Sequence, residues 1–185
     1  RDNRLLVYTR PVGVHESLPG VLLARAKEVV DRHPFPVKPG CMDISLFVAG
    51  HGTLQSPNNR IAIEAHVDRI RERQEYHSVH SIFLEEPPEI GRCYELATTR
   101  NIVVVHCFLS DGLHVAEDIP VLLGAPEEVV RRRLASGIPT WRNPTERNGK
   151  RVWYSSAIGS EGHLPDVILG LVEESQGWRG SIDRA

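Results

Sequence analysis

No apolar run in this 185-residue chain is long enough to cross a bilayer. The longest, Ile102–Leu109, is interrupted by His106 and falls far short of the ~18 residues that a span needs, so no membrane partner is expected. Cysteine is scarce. Cys41, Cys93 and Cys107 are odd in number and far apart, with no C-x-x-C pair. A disulfide scaffold is therefore not expected, nor an iron–sulfur cluster built from this chain alone. Free thiols suit a reducing cytoplasm, and no charged, apolar, small-residue leader points to secretion; the expected location is cytoplasmic. A strong charge of one sign is also missing. The formal net charge of −2 makes nucleic acid a poor partner. What is present is ordinary for a globular domain: 41% hydrophobic and 25% charged residues, which excludes a disordered chain.

Methionine occurs once, at Met42, just ahead of the most regular part of the sequence. Internal similarity explains the piece before it. Residues 5–23, LLVYTRPVGVHESLPGVLL, lie without a gap over residues 151–169, RVWYSSAIGSEGHLPDVIL. Tyr8 falls on Tyr154, Gly13 on Gly159, Leu18 on Leu164, Pro19 on Pro165 and Leu23 on Leu169, with Leu22/Ile168 conservative. The expected organisation is a C-terminal remnant of one repeat at 1–35, a linker at 36–41, a complete domain at 42–177 and a tail at 178–185. Residues 4–31 should then form a strand and helix, and a missing upstream repeat would belong to the same protein. Pro34, Pro36, Pro39 and Gly40 mark the linker, because they cannot continue a helix.

Past the linker, strands and helices alternate. Ile44–Ala49, Val79–Leu84, Ile102–Leu109 and Arg151–Ser155 read as buried strands. Ser56-Pro57 opens a helix with a stripe at Ile63, Val67 and Ile70. Pro87 to about Thr98 reads as a short helix, Pro126 to Gly137 as another and Leu164–Glu174 as the last. Apolar strands alternating with helices mean an α/β fold with a parallel sheet covered on both faces.

That topology places two histidines. His51 ends the first strand in Gly50-His51-Gly52-Thr53, and His114 follows the third in Ser110-Asp111-Gly112-Leu113-His114. Parallel strands put all such ends on one side of the sheet, where ligands bind at the topological switch point. Two imidazoles there could hold Co²⁺, Ni²⁺, Fe²⁺ or Zn²⁺, or they could be polar loop residues that cap helices. Glu85, ending the second strand, could bind the ion, take a proton or simply be a solvated charge. Glu117, three residues after His114, could support it or serve the helix dipole.

Four segments resemble one family in order and spacing. Val48–Thr53 with Asn59, Phe83-Leu84-Glu85-Glu86-Pro87, Ile102–Leu109 with Gly112, His114, Val115, Asp118, Ile119 and Pro120, and Tyr154…Ile158-Gly159…Leu164 are similar to motifs of the class II tetrapyrrole chelatases, the CbiX-like sirohydrochlorin cobaltochelatases. The resemblance covers most of residues 42–175. It implies a three-layer chelatase-like (flavodoxin-like) fold with a four-stranded parallel sheet. It implies insertion of a divalent metal, Co²⁺ first with Ni²⁺ and Fe²⁺ as alternatives, into a sirohydrochlorin-type tetrapyrrole without ATP, in cobalamin or related biosynthesis. The metal is then a substrate, and no organic cofactor is implied. His51 and His114 would be the metal-handling and catalytic histidines, with Glu85 as a third catalytic candidate. The alternatives are a non-catalytic repeat that carries metal or tetrapyrrole, and a hydrolase or phosphotransferase using His51. The last is disfavoured, because no arginine lies beside His51 to recognise phosphate.

The chain departs from that pattern at His106, where the family usually has proline. This residue could join the metal site, but a buried histidine bonded to backbone is the preferred reading. Asp111 occupies a position that is often apolar. Arg142, Arg147, Lys150 and Arg151 could rim a cleft for an acidic substrate, though a solvated loop is preferred. Trp141 and Trp153 read as packing residues, and Arg131–Arg133 as a helix-end charge cluster rather than a site.

Overall fold

The computed structural model describes residues 7–53 and 55–177. Its elements are α1 (Leu18–Arg32), β1 (Ile44–Gly50), α2 (Asn58–Glu72), β2 (Ser78–Phe83), α3 (Cys93–Leu96), β3 (Asn101–His106), α4 (Ile119–Leu122), α5 (Glu127–Ala135), β4 (Thr145–Arg147), β5 (Lys150–Tyr154) and α6 (Leu164–Gly177). The strands form one sheet in the order β2–β1–β3–β5–β4. The first four run parallel and β4 runs antiparallel to β5. Every residue of β1 is buried, as expected of a central strand covered on both faces.

Two apolar layers flank the sheet. On one side α1, α2 and the start of α6 pack on Leu46, Val48, Val103, Val105 and Trp153. On the other, Ile90, Cys93, Val115, Ile119, Leu123 and Trp141 pack on Phe47, Ala49, Val104, Val152 and Tyr154. Trp141 and Trp153 are therefore core residues. This is a three-layer α/β fold.

Several expectations need correction. The sheet has five strands, not four, because β4 lies inside the polar stretch read as a loop. Asn148 and Gly149, both at positive φ, close its hairpin with β5; Asn-Gly is the strongest short-range hairpin signal in a sequence. The helix expected over Pro87–Thr98 is shorter, a 3-10 turn at Ile90–Arg92 running into a four-residue helix at Cys93–Leu96. Ahead of α1, residues 7–11 form no strand; residues 1–6, like the tail at 178–185, lie outside the described residues. A strand needs a ladder partner, and residues 7–11 pair with none of the described strands.

Residues 42–177 also do not pack as a complete unit. Leu18, Val21, Leu22, Ala26, Val29 and Val30 of α1 are buried in the same core as β1, β3 and β5. Removing α1 would strip one face of the sheet. Trp153 Nε1 further ties the segment down by donating to the His33 carbonyl at 2.9 Å.

Candidate metal-handling site at the strand ends

The loop after β1 is held from both sides. Gly52 adopts φ +68°, and a Cβ there would lie 2.6 Å from Glu86 Cγ, so only glycine fits. Its N–H donates to Asn59 Oδ1 at 2.9 Å, from the first turn of α2. The His51 carbonyl accepts from the N–H groups of Leu84 and Glu85, both at 3.1 Å, which clasps the ends of β1 and β2 together. Behind the clasp, Arg60 Nε donates to the buried Glu86 carboxylate at 3.1 Å, and its guanidinium lies over the Phe83 ring.

The loop after β3 is pinned as firmly. Cys107 N–H donates to the Ala49 carbonyl, Ile158 N–H to Phe108 and Ala157 N–H to Asp111 Oδ1, at 2.8, 3.1 and 2.7 Å. Asp111 is thus committed to the loop itself. His114 then opens a single π turn, His114–Asp118, closed by the Ile119 N–H on the His114 carbonyl. Pro120 supplies the reason: it has no N–H to donate, and its ring crowds the carbonyl four residues back. The wider turn stacks residues four apart, and it sets Asp118 Oδ2 2.6 Å from His114 Nδ1.

The two imidazoles meet. Their ring centroids are 5.1 Å apart at an interplanar angle of 81°. Phe108 sits 6.3 Å from the His51 ring and 6.4 Å from the His114 ring, forming an apolar wall beside both. His51 Nδ1 lies 2.7 Å from the Gly52 carbonyl oxygen, which can only accept, so this nitrogen carries the proton. The Asp118 carboxylate fixes the same tautomer in His114. Both rings therefore keep Nε2 as the free lone pair. Glu85 Oε1 is 3.8 Å from His51 Nε2.

Sequence order and fold together decide the family. The CbiX family model matches residues 45–175. The chain belongs to the CbiX family. It is 38% identical over 162 residues to the probable sirohydrochlorin cobaltochelatase of Halobacterium salinarum, a match covering 88% of this chain and 51% of that one. The chain thus spans about half the length of that relative. It is 22% identical over 142 residues to the sirohydrochlorin cobaltochelatase of Methanopyrus kandleri, covering 72% of this chain and 98% of that one. Among solved structures, CbiX, described as the terminal enzyme of siroheme biosynthesis in denitrifying bacteria, superposes with a TM-score of 0.63 at 17% identity. That match covers 90% of this chain and 61% of the CbiX chain.

In this CbiX-family chain a cavity of about 440 Å³ opens beside the histidine pair, lined by Leu84, Glu85, His114, Glu117, Asp118 and Arg131, among others. Arg131 corrects the sequence reading: it faces the site, donating to Glu117 Oε1 at 3.0 Å and pairing with Glu127. Asp118 was noted only as part of a motif, and its role as orienter of His114 depends on the π turn. Among the described residues, no group of three or more His, Cys, Asp or Glu side chains could hold a metal ion. Lys150 and Arg151 lie at the opposite end of the sheet. There Lys150 Nζ donates to the Ala97 and Thr99 carbonyls, and Arg151 to that of Phe35.

His106 stands outside the pair. It is fully buried behind Phe108, next to Tyr154, with Nε2 3.1 Å from the Ser155 carbonyl oxygen. Burial pushes its pKa down to about 4, so the fold holds it neutral while the unfolded chain takes up a proton below the reference value of 6.5. Its stability contribution is full above about pH 6.5 and is lost as pH falls toward 4, an effect of about 3 kcal/mol. Urea unfolding across that window should therefore show a steeper loss in the parent than in His106→Gln. Parallel slopes would mean that His106 is not held neutral.

Proposed function

We propose that this chain handles the metal in a tetrapyrrole chelatase, placing a divalent cation, Co²⁺ first, into a sirohydrochlorin-type macrocycle without ATP. The observation that carries this reading is the His51–His114 pair, two rings with centroids 5.1 Å apart whose Nδ1 hydrogen bonds leave both Nε2 lone pairs free. Imidazole nitrogen suits borderline divalent metals such as Co²⁺ and Ni²⁺. Two protein ligands leave most of the ion's coordination sphere for the macrocycle nitrogens to replace. Insertion exchanges one M²⁺ for two pyrrole N–H protons. Once the ion has left, the vacated Nε2 atoms of His51 and His114, with Glu85 beside them, can take those protons. The carboxylates around Arg131 favour a cation entering this end of the cleft over the carboxylates of the macrocycle.

The test is anaerobic incubation with sirohydrochlorin and Co²⁺, with no nucleotide present. Multiple turnovers, read as the absorbance change of the metallated product, are the expected result. A stoichiometric complex without turnover would leave only a carrier of metal or tetrapyrrole. No spectral change would reject both readings.

A further inference from the structure

His51 can offer a lone pair from Nε2 only while Nδ1 holds the proton, and a single carbonyl decides that. The acceptor is the Gly52 oxygen, 2.7 Å from Nδ1. Glycine leaves the peptide after it more freedom than any other residue would, and Gly52 already sits at φ +68°. With that peptide turned over, an N–H would face the ring in place of the carbonyl. His51 would then accept at Nδ1 and carry its proton on Nε2. The Gly52 N–H is anchored to Asn59 Oδ1, but this bond fixes the peptide before the glycine and not the one after it. Something else must hold the carbonyl.

We propose that Glu86, held in place by Arg60, is a positioning residue for His51: it keeps the Gly52 carbonyl turned to Nδ1 and Nε2 free. A Cβ at Gly52 would lie 2.6 Å from Glu86 Cγ and 2.8 Å from its Oε1, so this carboxylate oxygen rests against the glycine. The Glu86 side chain is 9% exposed, and Oε1 has no hydrogen-bond partner among the described residues. Its other oxygen, Oε2, lies 3.1 Å from both Nε and Nη2 of Arg60. Arg60 is itself fully engaged. Nη1 donates to Glu64 Oε1 at 2.9 Å, Nη2 also donates to the Pro87 carbonyl, and the guanidinium lies 4.4 Å from the Phe83 ring centroid. A Gly52 carbonyl that turned toward Glu86 would therefore set one acceptor against another in a buried place, which costs free energy. Turned to His51, it finds a donor. The consequence for metal rests on the reading of His51 as a ligand, because apparent affinity follows the fraction of chains in the competent form. The tautomer itself belongs to the chain without metal.

The test is Glu86→Gln, which keeps the shape of the side chain. With Arg60 retaining the amide oxygen, the amide N–H₂ stands where Oε1 stood and offers the Gly52 carbonyl a competing donor. Glu64→Gln is the control, because it removes a charge from the same Arg60 at a carboxylate that does not lie against Gly52. Long-range ¹H–¹⁵N spectra of the metal-free chain, recorded above the ordinary histidine pKa, read the tautomer of His51. The parent and Glu64→Gln should carry the proton on Nδ1, and Glu86→Gln mostly on Nε2. Calorimetric titration should then show Co²⁺ binding about tenfold weaker in Glu86→Gln and close to the parent in Glu64→Gln. That factor should match the fall in the Nδ1–H fraction. If Glu86→Gln melts too low to study, Arg60→Met/Glu86→Gln removes both charges and keeps the new donor, with the same shift expected. A parent in the Nε2–H form, an unchanged tautomer in the Gln variants at position 86, or equal shifts in Glu86→Gln and Glu64→Gln would each overturn the proposal. A chain that shows the expected tautomers but takes up no Co²⁺ would overturn the metal reading alone, since the spectra decide this one.

Discussion

His114→Ala should lower the rate of Co²⁺ insertion by more than about 100-fold, and His51→Ala by a similar factor, while both variants melt close to the parent. Losing an outer partner of a metal ligand typically costs 10–100-fold, and losing the ligand itself should cost at least that. Both rings lie beyond the carboxyl ends of interior strands, with side chains 37% and 51% exposed for His51 and His114, so neither supports the core. Asp118→Ala should fall between parent and His114→Ala, because it frees the ring to turn without removing it. Turnover with titration calorimetry of Co²⁺ measures all three. Unchanged turnover and binding in His114→Ala, with collapse in His106→Ala, would make His106 the ligand instead.

A single methyl group should do nearly as much damage. In Gly159→Ala the new Cβ would lie 1.7 Å from the Leu109 carbonyl oxygen, a separation that no rotamer can relieve because the oxygen is backbone and the backbone fixes the Cβ. Either the Ile158–Ser160 turn or the loop carrying Phe108 and His114 must move. Overpacking of this kind costs about 1–3 kcal/mol or more. Here it also shifts His114, the proposed metal ligand, and displacement of the order of 1 Å can cost 100-fold in rate. The variant should therefore lose both melting temperature and insertion activity. Wild-type turnover in Gly159→Ala would show that the position of this loop does not matter to the reaction.

These two predictions differ in how much of them the sequence disclosed. His51, Glu85 and His114 could be placed without coordinates, because apolar runs alternating with helices force a parallel sheet whose strand ends share one side. The orientation of the rings could not. It depends on the Gly52 carbonyl, on a π turn imposed by Pro120 and on Asp118 stacked over His114 by that turn. Arg131 was read as helix-end charge because its approach to Glu117 joins α5 to a distant loop. The hairpin of β4 was legible in Asn148-Gly149 but was hidden by polar composition. The strand expected before α1 falls largely on residues 1–6, outside the described residues, and the described residues 7–11 pair with none of the described strands.

The placement of α1 also bears on how the chain is made. Synthesis runs from the N-terminus, so the helix that covers one face of β1, β3 and β5 leaves the ribosome before any of them. Fifteen residues are a marginal helix in water, so α1 gains little until β3 arrives. The order still helps the strands. Each apolar strand emerges into the company of a cover already made, which shortens the interval in which bare sheet could pair with a neighbouring nascent chain.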